Sequence, residues 1–87
     1  MHWDVKHLQP LSDYRLYVET VGGLKGIFDM KPFLDHGVFS ELRDLGYFNR
    51  VGIVMGAVTW PHNQDIAPET LVAGLVSVGS DVTPTTA

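Results

Sequence analysis

Four histidines and ten carboxylates are the side chains of this 87-residue sequence that could hold a metal ion or move a proton. Their spacing decides what they can do. His2 and His7 stand five apart, an odd separation that sends them to opposite faces of one extended strand, so they do not clamp a single ion. His62 and Asp65 follow Trp60-Pro61 and could share a turn, as two ligands or as an acid/base pair. A stable metal site takes three or four ligands, and His36 is the one further histidine at a loop position. No metal and no cofactor are therefore expected. Catalysis would have to pair His62 with Asp65, or His36 with Asp35 or Asp44. The stretch G-x-S-x-G is absent, and Ser12, Ser40, Ser77 and Ser80 fit turn, helix or tail roles, so no nucleophilic triad is recognisable. Gly22-Gly23-Leu24-Lys25-Gly26 matches neither a dinucleotide fingerprint nor a phosphate loop, and no helix follows it to receive a phosphate.

Three aspartates read as structural groups. Asp29, Asp44 and Asp65 each precede a short helical segment, where a capping carboxylate stabilises by about 1 kcal/mol. Among the aromatic residues, Trp3 and Tyr17 are the candidates for an exposed contact surface, Tyr17 because it stands between Arg15 and Glu19 on the polar face of an alternating strand. Isolated surface aromatics are the plain alternative.

Composition limits what these residues can belong to. Hydrophobic residues make up 45% and charged residues 18%, enough apolar surface to fold and too much for intrinsic disorder. A net charge of -4 opposes a phosphate backbone, so nucleic acid is not expected as the sole partner. An accessory role on nucleic acid would need Lys6, Arg15, Lys25 and Arg43 gathered on one face. With no cysteine, disulfides, thiol nucleophiles and thiolate metal sites are excluded. The charged first residues do not resemble a signal peptide, and no apolar run reaches the ~18 residues of a membrane span. The expected localisation is cytoplasmic, with no membrane partner.

The elements that must position these groups follow from the pattern. Residues 3–11 read as an edge strand closed by Pro10, and Tyr14–Val21 alternates with period two. Gly22-Gly23 then turns the chain into a third strand over 24–30. Asp29-Met30-Lys31-Pro32 opens a helical region broken by Gly37 and Gly46, in which Phe39, Leu42 and Leu45 form one stripe. Residues 50–60 predict a second hairpin turning near Gly56. Pro68 and Glu69 open a helix running to about Leu75. The expected fold is α+β: a mainly antiparallel sheet of about five strands, in the order β-β-β, short helices, β-hairpin and C-terminal helix, with the helices packed on one face. Residues 1–75 are read as one domain and 76–87, which lack large side chains, as a flexible C-terminal tail.

The order of these motifs resembles the small bacterial family called domain of unknown function 2442. The resemblance is carried by Tyr14-Arg15-Leu16-Tyr17-Val18 before a glycine turn, Gly26-Ile27-Phe28-Asp29-Met30 leading into Pro32-Phe33-Leu34, and Gly37-Val38-Phe39 with Leu42-Arg43-Asp44. Trp60-Pro61 with Asp65-Ile66-Ala67-Pro68-Glu69-Thr70-Leu71 completes it. It spans residues 3 to 75 and implies a small α+β domain of no established activity, joined in some relatives to a helix-turn-helix DNA-binding region. The stretch after Leu75 is too short for such a region, which sets autonomous DNA binding aside. Where relatives carry glycine after a Trp-Pro-Asn run, this chain has Trp60-Pro61-His62-Asn63-Gln64-Asp65.

Two functions remain. The first is a non-enzymatic module that binds a protein partner or a second copy of itself through an exposed sheet face or edge, as a small antitoxin-like regulator does. The second is a small enzyme or ligand-binding protein using the loop around Trp60, His62 and Asp65. A concave pocket lined by that loop, with His62 near another titratable group, would favour the second; a convex loop would remove it.

Overall fold

Alternation builds the centre of the larger sheet. In the strand Arg15–Thr20, here β2, the residues Leu16, Val18 and Thr20 are fully buried on one side, as the period of two requires. The computed structural model of the chain describes residues 3–77. β1 (Val5–Leu11) lies antiparallel beside β2 with Leu8 opposite Val18 and Pro10 opposite Leu16. Pro10 has no amide hydrogen to donate, which an edge strand tolerates. On the other side β3 (Lys25–Asp29) places Phe28 opposite Leu16.

The β1–β2 turn runs through Asp13 and Tyr14, both with positive φ, at 63° and 58°. A β-carbon makes each left-handed residue costly, and aspartate tolerates the region better than tyrosine. The surroundings hold the turn in place. Tyr14 O accepts the Met30 amide at 2.9 Å, the Tyr14 ring meets Phe48 edge-on at 5.5 Å, and the Tyr14 hydroxyl donates to Arg43 O at 2.5 Å. Lys31 Nζ reaches Asp13 Oδ2 at 2.8 Å and Asp29 Oδ1 at 3.6 Å. The hydrogen bond from Lys31 holds the Asp13 carboxyl below its usual range, and the same bond raises Lys31.

After β3 the chain makes a 3-10 turn over Lys31–Phe33 and a longer 3-10 segment over Gly37–Arg43. Asp29, the last residue of β3, accepts the Lys31 amide on Oδ1 at 2.9 Å, but the cap position of the 3-10 turn belongs to Met30, so the expected capping role is replaced by a side-chain turn. Asp44 leaves the helical region at φ -73°, ψ 112° and its side chain accepts the Gly46 amide, so it caps α1 (Leu45–Phe48). The expected break at Gly46 is thus two residues too late. Because the axis changes at Asp44, the stripe of Phe39, Leu42 and Leu45 does not hold: Leu42 is buried, Phe39 is half-buried and Leu45 is exposed.

β4 (Gly52–Val54) and β5 (Ala57–Thr59) form the second expected hairpin, turning at Met55 and Gly56 with φ of 51° and 82°. Asp65 lies in β6 (Asp65–Ile66), which pairs with β5; the cap position of α2 (Pro68–Gly74) belongs to Ala67, so Asp65 is not a cap. β7 (Val76–Ser77) returns along β3.

Among the described residues the single five-stranded sheet is therefore replaced by two antiparallel sheets, of order β1-β2-β3-β7 and β4-β5-β6. β6 and β7 are two residues each, too short for any alternation to appear in sequence. Val76 and Ser77, expected in the tail, continue the larger sheet, so the fold reaches beyond residue 75; residues 78–87 lie outside the described ones. Leu16, Val18 and Phe28 of the larger sheet pack with Val58 and Ile66 of the smaller one, and with Leu42, Tyr47, Phe48, Trp60 and Leu71, in one core. No helix among the described residues is long and apolar enough to cross a membrane.

Two measurements test this account. At Gly26 a β-carbon would lie 2.8 Å from the Val76 carbonyl oxygen, so Gly26→Ala should displace β7 and destabilise by about 1–3 kcal/mol, read by urea unfolding. A thermal series in pH tests the Asp13–Lys31 clamp. Asp13, lowered on folding, contributes stability above its unfolded value of about 3.9 that fades as pH falls through the folded value. Lys31, raised on folding, contributes below about 10.4 and loses this as pH rises through its folded value. The Tm advantage over Lys31→Met should hold from about pH 5 to 9 and shrink at both ends.

Candidate functional site

Two irregular segments face each other across an open groove of about 410 Å³, one wall formed by residues 37–41 and the other by 62–65. Neither segment belongs to a regular sheet or α-helix along its length, so side chains must hold the walls. The first wall is tied at its end by Arg43, whose Nε donates to Leu34 O at 3.2 Å and whose guanidinium pairs with Asp35. Leu42 sinks into the core behind it. The second wall follows Trp60, whose indole nitrogen donates to Phe48 O at 2.9 Å and whose backbone exchanges with the loop through Trp60 N to Gln64 O and Asn63 N to Trp60 O, both 2.9 Å. Asn63 turns the loop in the left-handed region at φ 73°, which asparagine tolerates.

The walls are joined by a closed ring of hydrogen bonds. The His62 amide donates to the Tyr47 hydroxyl at 2.9 Å, and that hydroxyl donates to Gln64 Oε1 at 2.6 Å. Gln64 Nε2 donates to Glu41 Oε1 at 2.8 Å and to Val38 O at 3.1 Å. Glu41 Oε2 closes the ring on His62 Nδ1 at 2.6 Å. An ionised carboxylate only accepts, so Nδ1 carries the hydrogen. The imidazole also stacks on the Tyr47 ring, with centroids 5.1 Å apart, which fixes the plane of the ring as well as its nitrogen. Gln64 is only 7% exposed, yet both its amide hydrogens and its carbonyl are used, which is the condition for keeping such a group inside.

Of the residues expected at a site, the structure brings His62 and Asp65 to the groove and leaves the others elsewhere. Trp60 is 1% exposed and belongs to the core, where its indole N–H needs the Phe48 carbonyl; it does not face the groove. Tyr17 does stand on the side of β2 away from the core but retains only 6% of its surface: its ring meets His7 edge-on at 6.2 Å and its hydroxyl donates to Glu19 Oε2 at 2.8 Å. That bond lowers Glu19 and raises Tyr17, because ionising the phenol would both break it and set two negative charges together. Trp3 is half-buried ahead of β1. The proton partner of His62 is Glu41, not Asp65, and Asp35 and Asp44 are held by Arg43 and the Gly46 amide. Among the described residues no three potential ligands gather around one point for a metal; His2 lies outside them.

Glu41, Tyr47 and Gln64 carried no signal in the sequence. Glu41 has the pattern of an exposed helical residue, Tyr47 that of a core aromatic, and Gln64 that of a loop residue. Pairing them depends on separations of 17 to 23 positions that only the fold closes.

Two small antiparallel sheets sharing one core, with a groove between a 3-10 wall and a loop, define a small α+β domain. The chain belongs to the family described as "Protein of unknown function (DUF2442)", whose model matches residues 5–77. No curated protein and no solved structure shows significant similarity to it.

Gln64→Leu should cost about 1–3 kcal/mol by urea denaturation, since it leaves the Tyr47 hydroxyl, the Val38 carbonyl and Glu41 short of partners. Tyr47→Phe should cost less in that background than alone, because the two act through one ring.

Proposed function

We propose that this protein is a small, non-enzymatic, cytoplasmic binding module that engages a protein partner through the groove between residues 37–41 and 62–65, in the manner of an antitoxin-like bacterial regulator. The observation that carries this reading is the closed ring of His62, Tyr47, Gln64 and Glu41. It uses the polar groups of the groove to hold its walls, which preorganises a contact surface so that little ordering remains to be done on binding. The rim is available: Val38 is 70% exposed although apolar, and Asp65 on the opposite wall is exposed, its side chain without a hydrogen-bond or ion-pair partner among the described residues. The outer face of the larger sheet is the weaker surface, because its central aromatic, Tyr17, is packed and hydrogen-bonded.

Two observations meet the condition set for the second reading: the loop after Trp60 lines a concave groove, and His62 lies beside another titratable group, Glu41. Glu41 orients His62 through Nδ1 as a carboxylate orients a general base, which suits a small hydrolase. Against it, the one hydroxyl side chain on the 37–41 wall, Ser40, donates back to Gly37 O at 2.8 Å within its own turn, so no activated nucleophile meets the imidazole.

A photo-crosslinking residue at position 38, expressed in the native host, should yield a discrete adduct with one protein, and the same residue at position 25 on the sheet should not. Adducts from position 25 alone would move the contact surface to the sheet; none from either position would remove the binding reading.

A further inference from the structure

The groove has a charge and a shape that specify what fits it. Its titratable lining side chains are Glu41, His62 and Asp65, with no lysine or arginine among them. The nearest cation along the first wall, Arg43, is committed to Asp35 and to Leu34 O. Of the two carboxylates, Glu41 gives one lone pair on each oxygen to the ring, to His62 and to Gln64, and each oxygen keeps another. Asp65 keeps all of its own. With His62 neutral the lining carries two negative charges, and with His62 protonated it still carries one. The whole chain, at -4, adds to the same field.

Beside these charges lies apolar surface. Val38 projects from the first wall and Phe39 is half-buried next to it. A group that suits both must combine an aliphatic stem with a cationic head, which describes the side chains of arginine and lysine. The volume agrees: about 410 Å³ falls near the lower end of the roughly 300–1,000 Å³ typical of small-ligand sites, enough for a long side chain with some backbone and less than a large cofactor needs.

We infer that the groove receives a basic side chain presented by a protein partner, with its stem along Val38 and its charged head between Asp65 and Glu41. This rests on the reading of the groove as the contact surface. It adds the chemistry of the partner: a segment with arginine or lysine at its centre, and no acidic residue beside it, because a second carboxylate there would face Asp65 and Glu41 at close range. Free polyamines share the cationic head, but the exposed apolar rim outside the charged part of the groove suits a peptide that continues past the inserted side chain.

Amide NMR of the full chain tests it with three blocked peptides: Ac-Gly-Arg-Gly-NH2, Ac-Gly-Lys-Gly-NH2, and the peptide with neutral citrulline in place of arginine. The arginine or the lysine peptide should shift residues 38–41 and 62–65 with a dissociation constant in the millimolar range. Citrulline should bind about tenfold more weakly, and Asp65→Asn, an exposed change that leaves the ring intact, should reduce the difference. Spermidine should bind more weakly than the basic peptides; equal binding would assign the groove to free amines and overturn the peptide assignment. Equal binding of citrulline would overturn the charge assignment while leaving the groove a contact surface. Absence of any shift in the groove would overturn this inference. If position 38 still crosslinks a partner, the proposed function stands without it; if it does not, both fall.

Discussion

A buried glutamine holds together the part of this protein that regular secondary structure leaves loose. Residues 37–43 form a 3-10 segment and 61–64 a loop, and neither has a strand neighbour along its length to supply backbone hydrogen bonds. Gln64 closes that gap by reaching from the loop to the Val38 carbonyl, to Glu41 and to the Tyr47 hydroxyl of α1. A neutral amide suits the place better than a charge would, since it offers two donors and an acceptor without the desolvation penalty of an ion. The titratable side chains stay outside: Glu41 and His62 are exposed and pair across the same gap. Cooperative polarisation around the ring strengthens each bond, and the imidazole is held both by Glu41 and by the face of Tyr47.

The ring stands on the core through two aromatic residues of different kinds. Tyr47 places its ring in the apolar cluster and its hydroxyl in the polar ring, so one side chain transmits the position of α1 to the groove. Trp60 does the same for the loop, with a fully enclosed indole whose single polar atom is used by Phe48 O. The other wall is fixed from the far side of the molecule: the strained Asp13–Tyr14 turn sends the Tyr14 hydroxyl to Arg43 O, at the end of the 3-10 segment. The left-handed conformation of Tyr14 is therefore tied to the placement of the groove, with Phe48 packed against its ring as partial compensation.

Much of the framework was legible in the residues. The period of two in Tyr14–Val21, the Gly22-Gly23 turn, the hairpin around Gly56 and the helix opened by Pro68 are local signals, and local chemistry suffices for them. Asp44 caps as its position suggests, and Asp29 holds the Lys31 amide, because both bonds join residues two apart. The division into two sheets was not legible, since β6 and β7 are held by partners, Val58 and Ile27 among them, rather than by any pattern of their own. Nor was the site. His62 and Asp65 drew notice by type, Trp60 by its neighbourhood, yet a tryptophan beside a polar loop has the same local signature whether it faces solvent or the core.

What the sequence determined by itself was the class and the repertoire: an α+β domain with one core, no thiol chemistry, an acidic surface and a polar loop after Trp60-Pro61. Those follow from composition and from neighbours within a few residues. What tertiary structure alone decided was which groups meet. Glu41 became the partner of His62, Gln64 was drawn inside, Trp60 and Tyr17 were buried, and the Asp65 side chain was left on a groove with no partner among the described residues. Each of those outcomes depends on where α1, the 3-10 segment and the second hairpin pack around one small core, and a chain read residue by residue contains no term for the distance between positions 41 and 62.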